Sequence, residues 1–153
     1  MVAVKINLLP FLKIPLNEKL FGKNKTWRGI ILMCLFSIPG VLLAQKLDNS
    51  LGFSDANLFL LSIGLGLGYT LSELPNSFFK RRLNIAEGKT SDKHKWLQII
   101  IDQGDSAVGT AIAYKLFLGA TWPLLLTFGL LGILIHLLIN ILLYLVKLRK
   151  EPF

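Results

Sequence analysis

The apolar positions of this chain gather into four long segments that are separated by short polar stretches. The segments are Gly29 to about Ala44, Asn57 to about Leu74, about Trp96 to Phe117, and Trp122 to Val146. A helix needs about 20 predominantly apolar residues to cross the hydrocarbon core of a bilayer. The pattern therefore predicts four membrane-spanning helices, of which the fourth is the longest and the third is interrupted by polar residues.

Composition supports a membrane protein of one domain. The 153 residues are 53% hydrophobic and only 17% charged, and the mean hydropathy is +0.58. A soluble domain of this length would normally carry more charge. We predict an all-α, polytopic helical membrane protein with a single membrane-embedded domain over residues 1–153. Residues 1–28, which Pro10 and Pro15 interrupt, are expected to lie at the interface, and residues 29–146 to hold the transmembrane helices.

The basic residues are distributed unevenly around the four predicted spans. The formal net charge is +8, and only Lys46 and Lys115 of the 17 basic residues lie outside three groups that four spans would place on one side. The three groups are Lys5, Lys13, Lys19, Lys23, Lys25 and Arg28; Lys80, Arg81, Arg82, Lys89, Lys93 and Lys95; and Lys147, Arg149 and Lys150. Because cytoplasmic loops carry the excess of Lys and Arg, both termini and the 83–95 loop are expected in the cytoplasm. No RNA-binding motif is visible, so no nucleic-acid partner is expected.

The second predicted span combines small residues with a proline. Gly64, Gly68 and Ser72 recur every four residues, which produces a face along which another helix can approach closely. Pro75 follows Glu73 and lacks a backbone donor. It is expected to kink or restart the helix just after Glu73.

Three carboxylates are candidates for a metal site. Asp102 and Asp105 are i, i+3 neighbours within the third apolar segment, so their side chains share one helix face. Two acids within a span repel each other and are costly unless they meet a partner. A divalent cation is one counter-ion, with Glu73 as a third ligand. Ion pairs with Lys80, Arg81 or Arg82 are the alternative.

Two basic clusters flank these acids and can bind phosphates. Lys25 and Arg28 are i, i+3 neighbours, and Lys80, Arg81 and Arg82 follow the second span. Arginine and lysine donate charge-assisted hydrogen bonds to phosphate oxygens. Three consecutive residues cannot all face the same way on a helix, so part of this second cluster is expected to act only as a cytoplasmic anchor. No nucleophile with a general base is visible, which argues against covalent catalysis.

Three motifs give the chain a specific resemblance. They are GKNKTWRG at Gly22 to Gly29, ELPNSFFKRRLNI at Glu73 to Ile85, and IDQGDSAVG at Ile101 to Gly109. In this order they resemble the CDP-archaeol synthase family, which is related to the phosphatidate cytidylyltransferases. The family pattern favours Asp at the position of Glu73. It also usually opens with a further membrane helix.

The resemblance implies an enzyme that transfers a cytidylyl group from CTP to a membrane lipid phosphate, either phosphatidate or an archaeal ether-lipid phosphate. It implies Mg²⁺ held by Glu73, Asp102 and Asp105. The phosphates would be bound by the basic residues and a hydroxyl, namely Lys25, Arg28, Ser77, Lys80, Arg81 and Arg82. The expected partners are CTP, the lipid phosphate and the bilayer, with a homodimer left open and the site on the cytoplasmic side of the membrane. A catalytically impaired relative that acts as a lipid-binding or scaffold protein is the main alternative. A small transporter is a weaker one.

Overall fold

The structure, a computed structural model, describes residues 8–47, 55–87 and 95–148. This part contains a single 3-10 turn, Pro10–Leu12, and five α-helices. The helices are α1 Glu18–Phe21, α2 Trp27–Leu47, α3 Asp55–Arg82, α4 Lys95–Leu118 and α5 Trp122–Leu145. The prediction of an all-α protein is confirmed. The predicted outer loop (48–54) and most of the predicted cytoplasmic loop (88–94) lie outside the described residues.

Within the described ranges, three helices are long and apolar enough to cross a membrane. They are Trp27–Lys46 in α2, Asn57–Arg82 in α3 and Trp122–Leu145 in α5. Helix α4 has 24 residues, which is a sufficient length, but Asp102, Gln103 and Asp105 make it more polar. The polytopic membrane architecture is therefore confirmed, whereas a fourth span over α4 stays a prediction.

The four long helices pack in the order α2, α3, α4, α5. Helix α3 contacts both α2 and α4, and α5 packs on α4. The central α3–α4 pair approaches closely because small residues face each other. A Cβ on Gly68 would lie 2.6 Å from the carbonyl oxygen of Gly109, and a Cβ on Gly109 would collide with Ser72. The small-residue face predicted for the second span is thus the α3–α4 contact, with Gly64 against Phe117.

Pro75 does not end its helix, so the expected restart after Glu73 is wrong, whereas the kink expected as its alternative stays a prediction. Helix α3 runs as one helix of 28 residues from Asp55 through Pro75 to Arg82. Proline removes one backbone hydrogen bond and crowds the preceding turn. Pro75 and Leu71, whose carbonyl loses that bond, both lie on an exposed face of the helix. Contacts of α3 with α1, α2 and α4 hold the helix together on its other faces. The basic cluster is consequently helical and continues the register of Glu73.

A short loop at the N-terminus is folded onto the beginning of α2. Pro15 and Thr26 form an isolated antiparallel bridge, and the backbone nitrogen of Leu16 donates to the carbonyl of Lys25 at 2.8 Å. Helix α1 lies between the two paired segments of the loop. It is capped by Asn17, whose side chain accepts from the backbone nitrogen of Leu20 at 3.1 Å. The loop fixes the backbone of Lys25 beside α3.

Candidate active site

A polar cavity of about 230 Å³ lies where the C-terminal half of α3 meets α1, α4 and the N-terminal loop. Its lining combines three carboxylates from the helices with cationic and amide side chains. The lining residues are Phe21, Asn24, Lys25, Glu73, Asn76, Ser77, Lys80, Arg81, Glu87, Asp102 and Asp105. Seven of the nine residues predicted for the site therefore lie around one cavity, although they come from three separate segments of the chain.

Asn76 joins the two aspartates of α4. Its Nδ2 donates to Oδ1 of Asp102 at 2.7 Å and to Oδ2 of Asp105 at 2.8 Å. A single nitrogen within reach of both carboxylates shows that the two acids converge on one point. This arises because residues 102 and 105 share a face of α4 and the close α3–α4 contact brings Asn76 opposite that face. The predicted convergence of Asp102 and Asp105 is present.

Two lysines form ion pairs with carboxylates from other segments of the chain. Lys80 lies 2.5 Å from Oδ2 of Asp102, and Lys25 forms an ion pair with Glu73. All four side chains are partly buried, so the charges are screened less by solvent than an exposed pair would be. The ion-pair alternative considered for Asp102 is thus realised in the structure with Lys80. Glu73 has the same kind of partner in Lys25.

The three residues of the second basic cluster have different surroundings. Lys80 and Arg81 line the cavity, while Arg82 lies over the ring of Phe78, 5.0 Å from its centroid. This divergence follows from the helical geometry of the run, as predicted, whereas the role of Arg82 as a cytoplasmic anchor stays a prediction. Nε of Arg81 is buried and has no hydrogen-bond partner in the described part of the chain. A buried donor of this kind is costly unless an acceptor meets it.

Arg28 does not line the polar cavity, although it was predicted to act together with Lys25. Lys25 precedes α2, whereas Arg28 lies in its first turn, so the two residues do not share a helix face. Arg28 is only 5% exposed, and its Nη1 also has no partner among the described residues. The i, i+3 spacing of Lys25 and Arg28 would place both side chains on one helix face only if both residues were helical.

Asn76, Asn24 and Glu87 are lining residues that sequence reasoning missed. Asn76 stands within the ELPNSFFKRR motif, one turn before Lys80, and this spacing could have identified it. Glu87 could not be found in this way, because it reaches the cavity through a turn. Asn84 adopts a left-handed conformation with φ 55° after α3, and Glu87 then accepts from the backbone nitrogen of Lys23 at 2.7 Å.

The oxygen atoms that line the cavity include ligands of the kind that a divalent cation needs. Mg²⁺ favours oxygen ligands, with one or two carboxylates from the protein and the rest from substrate phosphates and water. Asp102 and Asp105 provide two carboxylates at one point. A flip of the Asn76 amide would add a third oxygen there, since its oxygen and nitrogen are assigned from the surrounding hydrogen bonds. In the described ranges, no three His, Cys, Asp or Glu side chains are grouped closely enough to hold a metal ion. The residues fit a cation held by the two aspartates, and Glu73 as a third ligand stays a prediction.

Comparisons with known proteins agree with the three motifs. The model of the CarS-like, CDP-archaeol synthase family matches residues 14–153. The CDP-archaeol synthase of Staphylothermus marinus is 34% identical over 148 residues, which cover 91% of this chain and 76% of that protein. The corresponding synthase of Aeropyrum pernix is 32% identical over 143 residues, which cover 92% and 74% of the two chains. That of Methanocaldococcus jannaschii is 29% identical over 135 residues, which cover 84% and 72%. No solved structure shows a significant match. The chain belongs to the CDP-archaeol synthase family.

Proposed function

We propose that this protein transfers a cytidylyl group from CTP to the phosphate of an archaeal lipid within the membrane, with the polar cavity as its active site. The carrying observation is the convergence of Asp102, Asp105 and Asn76 on one point beside Lys80. Nε of Arg81 is buried in the same region, and no hydrogen-bond partner for it lies among the residues that the structure describes. This arrangement places oxygen ligands for a cation next to donors for phosphate. The family match and the curated relatives, which are CDP-archaeol synthases, support the same activity.

The reaction requires positioning and charge neutralisation more than a protein nucleophile. An oxygen of the lipid phosphate attacks the α-phosphorus of CTP, a new phosphorus–oxygen bond forms, and the bond to the β-phosphate breaks to release pyrophosphate. Lys25 and Lys80 can neutralise the phosphate oxygens, Arg81 can donate from its Nε, and Ser77 can donate its hydroxyl. A bound Mg²⁺ would supply further neutralisation of the developing charge when held by Asp102 and Asp105, with Glu73 as the third ligand.

The location of the cavity supports access from the cytoplasm. It is surrounded by the two basic segments that the positive-inside rule assigns to that side, and CTP is a cytoplasmic nucleotide. The bilayer would hold the lipid substrate, whose phosphate reaches the cavity at the membrane surface. Arg28 and Arg82 lie outside the cavity lining and are expected to support the fold or contact lipid phosphates at its edge. A homodimer, which the sequence left open, stays a prediction.

The proposal is tested by following radioactive CTP into lipid. The purified protein, in vesicles that contain an isoprenoid ether-lipid phosphate, should form a CDP-lipid in a magnesium-dependent reaction. Asp102→Asn and Asp105→Asn should each lower turnover at least 10²-fold while the protein remains folded. Glu18→Gln, which removes an exposed carboxylate outside the cavity lining, is the matched control. A protein that binds the lipid without forming product, in parent and variants alike, would instead be the impaired lipid-binding relative.

A further inference from the structure

A buried pair of amide side chains joins α4 to α5 on the side away from the polar cavity. Nδ2 of Asn140 in α5 donates to Oε1 of Gln103 in α4 at 2.8 Å. Gln103 is 4% exposed and Asn140 is 7% exposed. Asn140 lies in the most apolar of the three helices that can cross a membrane, and it is one of only two residues that this helix buries. A buried amide is costly where an apolar side chain would not be, so the pair calls for a reason other than burial.

Gln103 and the two aspartates occupy one turn of α4 but lie on different faces of it. Successive residues of an α-helix are about 100° apart around the helix axis. Gln103 therefore lies roughly 130° from the direction midway between Asp102 and Asp105. The aspartates accept from Asn76 of α3, whereas Gln103 accepts from α5. Two asparagines, one from each neighbouring helix, thus hold the same turn of α4 from two sides.

Other contacts between α4 and α5 are made by apolar and aromatic side chains. A Cβ on Gly132 would lie 3.3 Å from Cβ of Ala107, and the rings of Tyr114 and Phe128 meet edge-on with 5.2 Å between centroids. Lipid tails are as apolar as such side chains, so these contacts give a helix little reason to prefer one rotation over another. A hydrogen bond between two amides is directional. The amide pair is therefore suited to fix the rotation of α4, as a buried asparagine fixes the register of some coiled coils.

We propose that Asn140 is a positioning residue for the cation site. By holding Gln103, it sets the rotation of α4 at which both aspartates lie opposite Asn76. This inference rests on the proposed function and adds a residue from α5, a helix that contributes no side chain to the lining of the polar cavity. Without the amide pair, α4 would spend part of its time at rotations that separate the carboxylates from Asn76. The apparent affinity for a cation falls with the fraction of time for which its site is assembled, so loss of the pair weakens cation binding.

Three variants separate positioning from packing. Asn140→Leu takes from Gln103 the partner that it has in the parent, so both the apparent Tm and the cation affinity should fall. The double variant Gln103→Leu/Asn140→Leu removes both amides, and because neither is left without the other, it should keep the Tm of the parent. The exchange variant Gln103→Asn/Asn140→Gln restores an amide pair with the same total number of methylene groups.

The matched control is Thr127→Leu. It also replaces a polar side chain of α5 by leucine, but Thr127 is exposed and its hydroxyl donates within its own helix, to the carbonyl of Pro123 at 3.0 Å. This variant should match the parent in every measurement.

The first measurement is the affinity for Mn²⁺ without CTP or lipid, by electron paramagnetic resonance of the full chain in detergent. The double variant should bind Mn²⁺ about tenfold more weakly than the parent at an unchanged Tm, and the exchange variant should recover to within about threefold. A purely structural role would leave the Mn²⁺ affinity of the folded double variant unchanged, and this result would overturn the inference. If the double variant does not fold, the exchange variant decides, because an affinity no better than that of Asn140→Leu would overturn the inference too. Absence of Mn²⁺ binding by the parent would do the same.

The second measurement is the kinetics of CTP-dependent lipid labelling. In the double variant, the magnesium concentration at half-maximal turnover should rise about tenfold. The KM for CTP at saturating magnesium should stay within about threefold of the parent, because Lys25, Lys80 and Arg81 belong to segments other than α4. An equal rise in both quantities would indicate a general loosening of the site and overturn the inference. A parent that binds Mn²⁺, with the expected loss in the double variant, but forms no CDP-lipid would refute the proposed function alone.

Discussion

The ammonium group of Lys80 lies 2.5 Å from a carboxylate oxygen of Asp102, across the contact between α3 and α4. The same carboxylate accepts from Asn76 through its other oxygen. Lys80 therefore neutralises one of the two acids that would hold a cation. If the cavity binds the triphosphate of CTP, as we propose, Lys80 would gain a second anion to pair with, and a cation could replace it at Asp102. Exchange of partners at Asp102 would couple metal binding to nucleotide binding.

Lys80→Met tests this exchange. Removing the ammonium group should raise the affinity for Mn²⁺ measured without nucleotide by about tenfold, because the cation no longer competes with a fixed positive charge. Turnover should fall at least 10²-fold, because one phosphate contact is lost at the same time. The measurements are the electron paramagnetic resonance of Mn²⁺ and CTP-dependent lipid labelling.

The control for this variant is Lys46→Met. It removes an exposed lysine in the last turn of α2, whereas Lys25 precedes the first turn of that helix. It should change neither the affinity for Mn²⁺ nor the turnover. If Lys80→Met weakened Mn²⁺ binding instead, Lys80 would be holding Asp102 in place for the metal rather than competing with it.

Asn76→Leu should weaken the cation site without abolishing it. The leucine has a similar volume but cannot bridge Asp102 and Asp105, so the two carboxylates repel each other more strongly. The magnesium concentration at half-maximal turnover should rise about tenfold, while the KM for CTP at saturating magnesium changes little. Asn57→Leu, at an exposed position near the beginning of α3, is the control. An unchanged magnesium dependence would mean that Asn76 takes no part in the cation site.

The sequence was sufficient to predict the helices and most of the site residues, because both depend on the spacing of residues along a helix. The i, i+3 relation of Asp102 and Asp105 and the i, i+4 relation of Gly64, Gly68 and Ser72 follow from helical geometry alone. Together they indicate which face of each helix is in contact. The family resemblance of the three motifs then assigned Lys25, Ser77 and Lys80 to the same site.

Other features depend on contacts that local spacing does not contain. Lys25 is fixed by pairing between Leu16 and Lys25 in the N-terminal loop, which separates it from Arg28. Pro75 remains helical because packing on three neighbouring helices outweighs a local preference that would end an isolated helix. Glu87 reaches the cavity only because Asn84 turns the chain back after α3. In each case, the deciding interaction is between residues far apart in sequence or in a turn without a strong signal.

Gly109→Ala should separate α3 from α4 and disturb the site at a distance. A Cβ at this position would collide with the carbonyl of Gly68 and the side chain of Ser72. The backbone of Gly68 cannot rotate away as a side chain can, so the two helices must move apart. This movement costs about 1–3 kcal/mol of stability. The apparent Tm in detergent should fall, and turnover should fall with it because Asn76 moves away from Asp102.

Gly129→Ala is the matched control, since a Cβ there meets nothing within 4 Å. Alanine is a better helix former than glycine by about 1 kcal/mol, so this variant should keep or raise the Tm. Equal behaviour of the two variants would show that the helices are not in close contact at Gly109.

The predicted orientation in the membrane is tested with single cysteines in a Cys34→Ala background. Lys46→Cys, at the end of α2, should react with an impermeant thiol reagent only from the outer side. Leu83→Cys, after α3, should react only from the cytoplasmic side, as the distribution of basic residues predicts. Reaction of both cysteines from the same side of sealed vesicles would contradict the arrangement and, with it, a cytoplasmic active site.

Glu73 provides the last prediction, because the family pattern favours aspartate there and the structure pairs this residue with Lys25. Glu73→Asp retains the charge but withdraws the carboxylate by about one ångström, and a misplacement on that scale can cost about 10²-fold in rate. In this chain the longer side chain reaches Lys25, and a shorter acid would lose this contact, so Glu73→Asp should lower turnover by between tenfold and 10²-fold. Glu73→Gln, which also leaves Lys25 without its partner, should be inactive. Lipid labelling and the apparent Tm of both variants separate loss of chemistry from loss of folding. A higher turnover with Glu73→Asp would show that the site works better with the shorter acid. Turnover unchanged by Glu73→Gln would show that Glu73 does not act as a ligand.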